Sequence, residues 1–187
     1  MIRTGARDIA DDTAMRRAKH KDSNSKSPVK MHVHYSHAPP RYVDKLIRHI
    51  NGKDWWHVPP ADSRAYQKRG KFFASTFREA EFYGRPKDEP ERVCITAPLI
   101  GDNDAIERRL LGKVESHPEI TVRKRLSLDA KLRRAAVRRG FDSIVLLTPR
   151  SMEALKKGKM PRSIELNVVN LRCLCRNLES NQVMQDR

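Results

Sequence analysis

The sequence predicts an α+β domain. Apolar runs of strand length recur at residues 92–97, 142–147 and 163–169, each bounded by Pro, Gly or a polar cluster. Stretches with apolar residues at helical spacing lie between them at irregular intervals. The strands therefore do not alternate with helices as a doubly wound parallel sheet requires. A length of 187 residues suits one domain with a real core, flanked by tails.

Residues 1–29 are polar and charged, with Asp11-Asp12, Arg16-Arg17 and a Lys- and Ser-rich run at 19–27. Nothing there buries enough apolar area to offset the entropy of ordering, so a tail is expected, with room for one short helix between Ile9 and Lys19. The domain itself is expected over 30–172, with a polar tail over 173–187. It opens with a strand at 31–36, stopped by Pro39-Pro40. A helix follows over 41–50, where Tyr42, Leu46, Ile47 and Ile50 recur at helical spacing. A loop carries Trp55-Trp56, read as core or rim packing, and Pro59-Pro60; a short helix spans 61–69. Gly70 then opens a strand holding Phe72 and Phe73. Ser75 and Thr76 supply the N-cap of an amphipathic helix that has Ala80 and Tyr83 on one face. The strand at 92–97 ends before Pro98. Asp102-Asn103-Asp104 caps a helix over 105–112. Another runs from Leu126 through Arg139 and is ended by Gly140, with Leu128, Leu132, Ala135 and Ala136 on one face and arginines on the other. A buried-type strand at 142–147, a loop at 148–162 and a strand at 163–169 complete the domain.

Lys and Arg number 39 against 23 Asp and Glu, a formal charge of +16, which would draw a polyanion or an anionic dinucleotide to the surface. The three cysteines (Cys94, Cys173, Cys175) are an odd set without a disulfide framework, and they point to a reducing, cytoplasmic setting. No apolar run approaches the roughly 18 residues a membrane span needs, and charges rather than a hydrophobic region follow Met1-Ile2-Arg3. Neither membrane association nor a secretory signal is expected, and export by another route stays open. His32 and His34 share one strand face, but no carboxylate or cysteine is spaced to complete a ligand set, so no metal is expected.

Three distant segments each place an unusual polar residue at a strand: 33–36 with His34, 72–75 followed by Tyr83, and 163–168 with Glu165. A carboxylate interrupting an apolar strand is costly unless it faces a cleft or a partner. In this order the segments resemble those of the His–Tyr–Glu ADP-ribosyltransferases, the group shared by diphtheria-toxin-like enzymes and poly(ADP-ribose) polymerases. The resemblance spans residues 31 to about 170 and includes the Gly-aromatic-Asp run Gly140-Phe141-Asp142. It implies a split, mostly antiparallel sheet core with flanking helices. His34 matches the residue that bonds the nicotinamide ribose, with Tyr35 beside it at the carboxamide. Phe72 and Phe73 match the aromatic pair, Ser75 at the end of that strand counts with them as an NAD-binding residue, Tyr83 matches the ring that stacks on nicotinamide, and Glu165 matches the catalytic acid. Phe72 stands where the family has its triad tyrosine, keeping the ring without the hydroxyl. His34 on the first strand and Ser163 two residues before Glu165 favour this branch over the Arg–Ser–Glu one.

The implied activity is transfer of ADP-ribose from NAD, as co-substrate, to a macromolecular acceptor, protein or nucleic acid, with release of nicotinamide. A carboxylate stabilises the oxocarbenium-like state that forms when the nicotinamide–ribose bond breaks, and an aromatic platform orients the pyridinium ring. The loop at 148–162 would meet the acceptor; Arg41, Lys45 and Arg64 are candidates to neutralise the diphosphate. Two alternatives stay open: hydrolysis of NAD without an acceptor, and a non-enzymatic basic protein that binds nucleic acid through its tail and arginine-rich helix.

Overall fold

The computed structural model describes residues 38–175. The expected N-terminal tail, the first strand with His34 and Tyr35, and the residues beyond Cys175 lie outside the described residues. Those described form a mixed helix-and-sheet domain of six α-helices and one four-stranded sheet. In chain order the elements are α1 (Pro40–Asn51), α2 (Arg64–Arg69), β1 (Lys71–Ala74), α3 (Phe77–Glu81), β2 (Pro98–Gly101), α4 (Asn103–Leu111), α5 (Val122–Arg138), β3 (Ser143–Leu146), α6 (Pro149–Lys156) and β4 (Glu165–Val168). A 3₁₀ turn at Leu171–Cys173 follows. No helix among the described residues is long and apolar enough to cross a membrane.

The strand order is β1-β4-β3-β2, with β4 antiparallel to both β1 and β3, and β2 parallel to β3. The parallel pair needs a long crossover, which α4 and α5 supply. The pleat sends alternate residues to opposite faces. Phe73, Leu166, Val145 and Ile100 stand in line on one face, packed under Val43, Leu46 and Ile50 of α1 and Met152 and Leu155 of α6. Leu99 and Ile144 are on the other, under Ile106 and Leu110 of α4 and Ala135 and Ala136 of α5. Each fully buried aliphatic side chain contributes about 1.5–3 kcal/mol of transfer free energy, so both layers are anchored. Toward β1 and the start of β4 the same face carries Phe72, Ala74 and Glu165, with Arg125 and Asp129 of α5 beside them.

Local chemistry sets most boundaries. The side chains of Thr76, Asp102, Thr121 and Thr148 cap α3, α4, α5 and α6 by accepting from Glu79, Ala105, Lys124 and Ser151 N–H. Gly112 ends α4 in the left-handed region. Gly70, at φ +86°, carries the chain from α2 into β1, and a Cβ there would lie 2.2 Å from Asn167 Oδ1 and 2.8 Å from Val168 O. Only glycine lets β1 and β4 approach at that point.

Four expectations are corrected. The segment 92–97 is not a sheet strand. Its backbone bonds go to the Asn51 side chain (Ile95 N and O, both 2.9 Å), to the Asp142 carboxylate (Thr96 N 2.6 Å, Ala97 N 2.8 Å) and to Cys173 O (Cys94 N, 2.8 Å). With those groups satisfied no ladder is needed, and the strand starts instead at Pro98, tolerated as the first residue of an edge strand. The helix expected from Leu126 begins four residues earlier, at Val122, because Thr121 provides the cap. The loop at 148–162 contains α6, whose Pro149 takes the first helical position, where its missing N–H costs nothing. Finally, Cys94 and Cys175 are joined in a disulfide, so the ground for a reducing compartment taken from unpaired cysteines falls away; Cys173 remains a thiol. The disulfide and the bridge Val93↔Leu174 tie residues 173–175, read from the sequence as the start of a tail, to the body of the domain.

Candidate active site

Over this end of the sheet lies a cleft of about 520 Å³. Its floor is the strand face carrying Phe72, Ala74 and Glu165; its walls are Trp56, Pro59 and Pro60 from the loop after α1, Ala80 and Tyr83 from the α3 region, and Arg69, Arg125 and Asp129 from α2 and α5. Because Ala74 is the register partner of Glu165 in β1 and Leu146 in β3, the carboxylate stands between two small or aliphatic neighbours at the end of its strand.

Tyr83 and Glu165, 82 positions apart, meet here: the phenol donates to Glu165 Oε1 at 2.9 Å. Tyr83 sits just beyond α3, which ends at Glu81 with Phe82 as its cap, and its N–H returns to Ala80 O. Partial burial, then the hydrogen bond to Glu165 and the charge of that carboxylate, push the phenol's pKa up to about 12. It is a firm donor at any physiological pH. Phe72 presents a ring that is 37% exposed to the cleft. Trp56, half-buried, meets the ring of Phe77 edge-on at 5.0 Å. Three aromatic side chains and the exposed carboxylate of Glu165 therefore converge, with the second carboxylate of the cleft, Asp129, paired to Arg125; the arrangement suits a flat cationic ring beside a sugar on which positive charge develops.

The other residues singled out from sequence are placed differently. Phe73, one step along the pleat, is buried in the core on the opposite sheet face and only borders the cleft. Ser75 is buried, and its hydroxyl is committed: it accepts from Ile164 N and donates to Ile164 O, both at 3.3 Å. It pins the residue before Glu165 to the end of β1, a positioning role rather than a ligand contact. Trp55 belongs to the core, with Nε1–H donating to Ile50 O at 2.9 Å. None of the cations proposed for a diphosphate lines the cleft: Arg41 and Lys45 are on α1, and Arg64 is paired with Asp62 at 3.1 Å.

Arg69, Arg125 and Asp129 are cleft residues that sequence reasoning missed; Trp56, read as core or rim packing, stands half-buried in the wall. Arg125 and Asp129 had a local signal, an opposite-charge i,i+4 pair on the apolar side of a helix. Starting that helix at Leu126 hid it. Asp129 is buried, and burial raises its carboxyl pKa against the pull of Arg125 and Arg69. Behind the floor, His57 is buried with Nδ1 at 2.8 Å from Phe72 O and Nε2 at 2.6 Å from Tyr66 OH. The carbonyl can only accept, so Nδ1 carries the proton and Nε2 accepts from the phenol. This fixes the backbone of Phe72. Burial lowers the His57 pKa and keeps the ring neutral.

A second cavity of about 590 Å³ opens on the other side of Glu165, bounded by the first turns of α4 and α6 and by Ser163. Glu165 and Leu146 belong to both cavities. Among the described residues no group of His, Cys, Asp or Glu is arranged to hold a metal ion. At a level of similarity that marks common descent, the chain matches no family model, no curated protein and no solved structure.

Proposed function

We propose that this chain transfers ADP-ribose from NAD to a macromolecular acceptor and releases nicotinamide, within an ADP-ribosyltransferase-like fold. One observation carries the reading: an aromatic residue and an exposed carboxylate, 82 positions apart, hydrogen-bonded at the mouth of a cleft floored by Phe72. Nicotinamide lies between the rings of Phe72, Tyr83 and Trp56. Glu165 faces the ribose and lowers the energy of the oxocarbenium-like state as the glycosidic bond breaks. Tyr83 holds that carboxylate in one orientation, which matters because a loosely placed charge is worth far less to the transition state. The cavity on the far side of Glu165 gives the acceptor nucleophile an approach opposite the departing nicotinamide. The same cavity also admits water, so NAD hydrolysis is the competing outcome.

Incubation of the full chain with NAD labelled in the adenylate part, with and without cell extract, tests the reading. Label is expected in a macromolecule, and nicotinamide in the medium. Glu165→Gln is isosteric and exposed, so the fold should stand while turnover falls about 100-fold or more, the scale of a lost electrostatic contact to a transition state. An unchanged rate of nicotinamide release in that variant rules the assignment out. A second reading, nucleic-acid binding without catalysis, rests on the exposed cations Arg123, Lys124, Arg134 and Arg138 of α5. Steeply salt-dependent nucleic-acid binding, together with no affinity for NAD, would favour it.

A further inference from the structure

The cleft contains a charge arrangement for which the ring-and-carboxylate chemistry has no use. Arg69, Arg125 and Asp129 all line it. Asp129 is buried in the wall, and its Oδ1 takes the Nε edge of Arg125 at 3.3 Å. Among the described residues neither guanidinium makes any other hydrogen bond or ion pair, so the two Nη groups of Arg125 and the whole fork of Arg69 are uncommitted. Arg69 is positioned from its main chain: its carbonyl accepts from Asn167 Nδ2 at 3.0 Å, and Gly70 beside it makes the turn into β1. Asn167 is the register partner of Phe72, so one strand pair places both the aromatic floor and the start of the cationic wall.

Resting on the reading above, we propose that Arg69 and Arg125 form a clamp for the diphosphate of a dinucleotide, with Asp129 as the positioning residue that orients Arg125. A diphosphate ester carries two negative charges, and each planar guanidinium can span two phosphate oxygens at once. Asp129 lets two like charges share one wall by compensating one of them. It also occupies the Nε edge and leaves the Nη edge for the ligand. Two cations against one carboxylate leave this wall with a net positive charge before ligand enters. The combination of aromatic floor and cationic wall selects a nucleoside diphosphate over a free base or an isolated phosphate.

Binding of ADP-ribose, inorganic pyrophosphate and nicotinamide to the full chain provides the test, by calorimetry or ligand-observed NMR. The variants are R69Q, R125Q, R125K and the pair R125Q/D129N, which leaves no unpaired carboxylate in the wall. Each glutamine variant is expected to weaken ADP-ribose about tenfold or more, the scale of a lost hydrogen bond to a charged group, and to retain nicotinamide binding. R125K, which keeps the charge without the fork, should fall between. D129N should weaken ADP-ribose and D129E restore it. The salt dependence of ADP-ribose binding should be shallower in R69Q and R125Q than in the wild type. Wild-type ADP-ribose affinity in folded R69Q and R125Q/D129N overturns the clamp and leaves the enzyme reading standing. A wild-type chain that binds neither ADP-ribose nor NAD and releases no nicotinamide sinks that reading and the clamp together.

Discussion

Replacing Ser75 by alanine separates positioning from ligand contact at the place where the two readings of the site diverge. The Ser75 hydroxyl is buried and makes two bonds of 3.3 Å to the main chain of Ile164, 89 residues away. Both are long, so each contributes near the low end of about 0.5–1.5 kcal/mol. Their loss also leaves the N–H and C=O of Ile164, itself 1% exposed, without those partners, and a stranded buried group costs about 1–3 kcal/mol. The expected loss is therefore about 1–3 kcal/mol of unfolding free energy. Urea denaturation should show it as a lower midpoint at an unchanged slope. Because Ile164 directly precedes Glu165, the release from β1 should loosen the carboxylate. On the proposed function, turnover of NAD should drop several-fold while KM for NAD holds, the signature of an interaction that matters in the transition state. Wild-type stability combined with a raised KM would mean that the hydroxyl touches NAD, as the sequence expectation had it, and the structural account would be wrong.

Three further outcomes are expected. Asp142 holds Thr96 N and Ala97 N with one carboxylate oxygen and the Ser143 hydroxyl with the other, at 2.6, 2.8 and 2.8 Å. D142N keeps an oxygen on the two N–H groups and turns its amide toward a hydroxyl that can accept, losing about 1–2 kcal/mol, whereas D142A strands the buried Ala97 N–H and loses about 2–4 kcal/mol; equal unfolding midpoints for the two would contradict this. Burial holds the His57 pKa below 6.5, so as pH falls through 6.5 the unfolded chain gains a proton that the folded one refuses. Stability should be full above pH 6.5, decline as pH falls toward the folded-state pKa and level off below it, and H57Q should flatten that limb of a pH series of melts. The Cys94–Cys175 bond closes a sequence separation of 81, so C94S/C175S should lose about 2–4 kcal/mol, and a double variant that melts with the wild type would refute it.

Much of the fold was legible because helix starts and stops obey rules that act over three or four residues. Thr76 and Asp102 could be read as caps, and Gly140 as a helix stop, without knowing what they pack against. Where the partner of a segment decided its state, the same reasoning failed. Residues 92–97 have strand composition, yet their hydrogen bonds are taken by Asn51 and Asp142, and a Pro-initiated edge segment became the strand. Pro149 looked like a loop signal although it begins a helix.

Glu165 announces itself in the primary structure, because a carboxylate inside an apolar strand has few inexpensive places to go. Alternation likewise requires Phe72 and Phe73 to face opposite ways. It cannot say which of them sees the cleft, since that depends on the register with β4 and on which elements pack over each face. Nor does a chain with 39 Lys and Arg mark two of them out for a ligand. Arg69 and Arg125 differ from Arg64 by lining the cleft beside Asp129, and the approach of α2 to α5 that brings them together leaves no trace in local pattern. Short-range propensity and burial are properties of neighbours along the chain; convergence around a cleft is a property of packing, and appears only once the layers have closed.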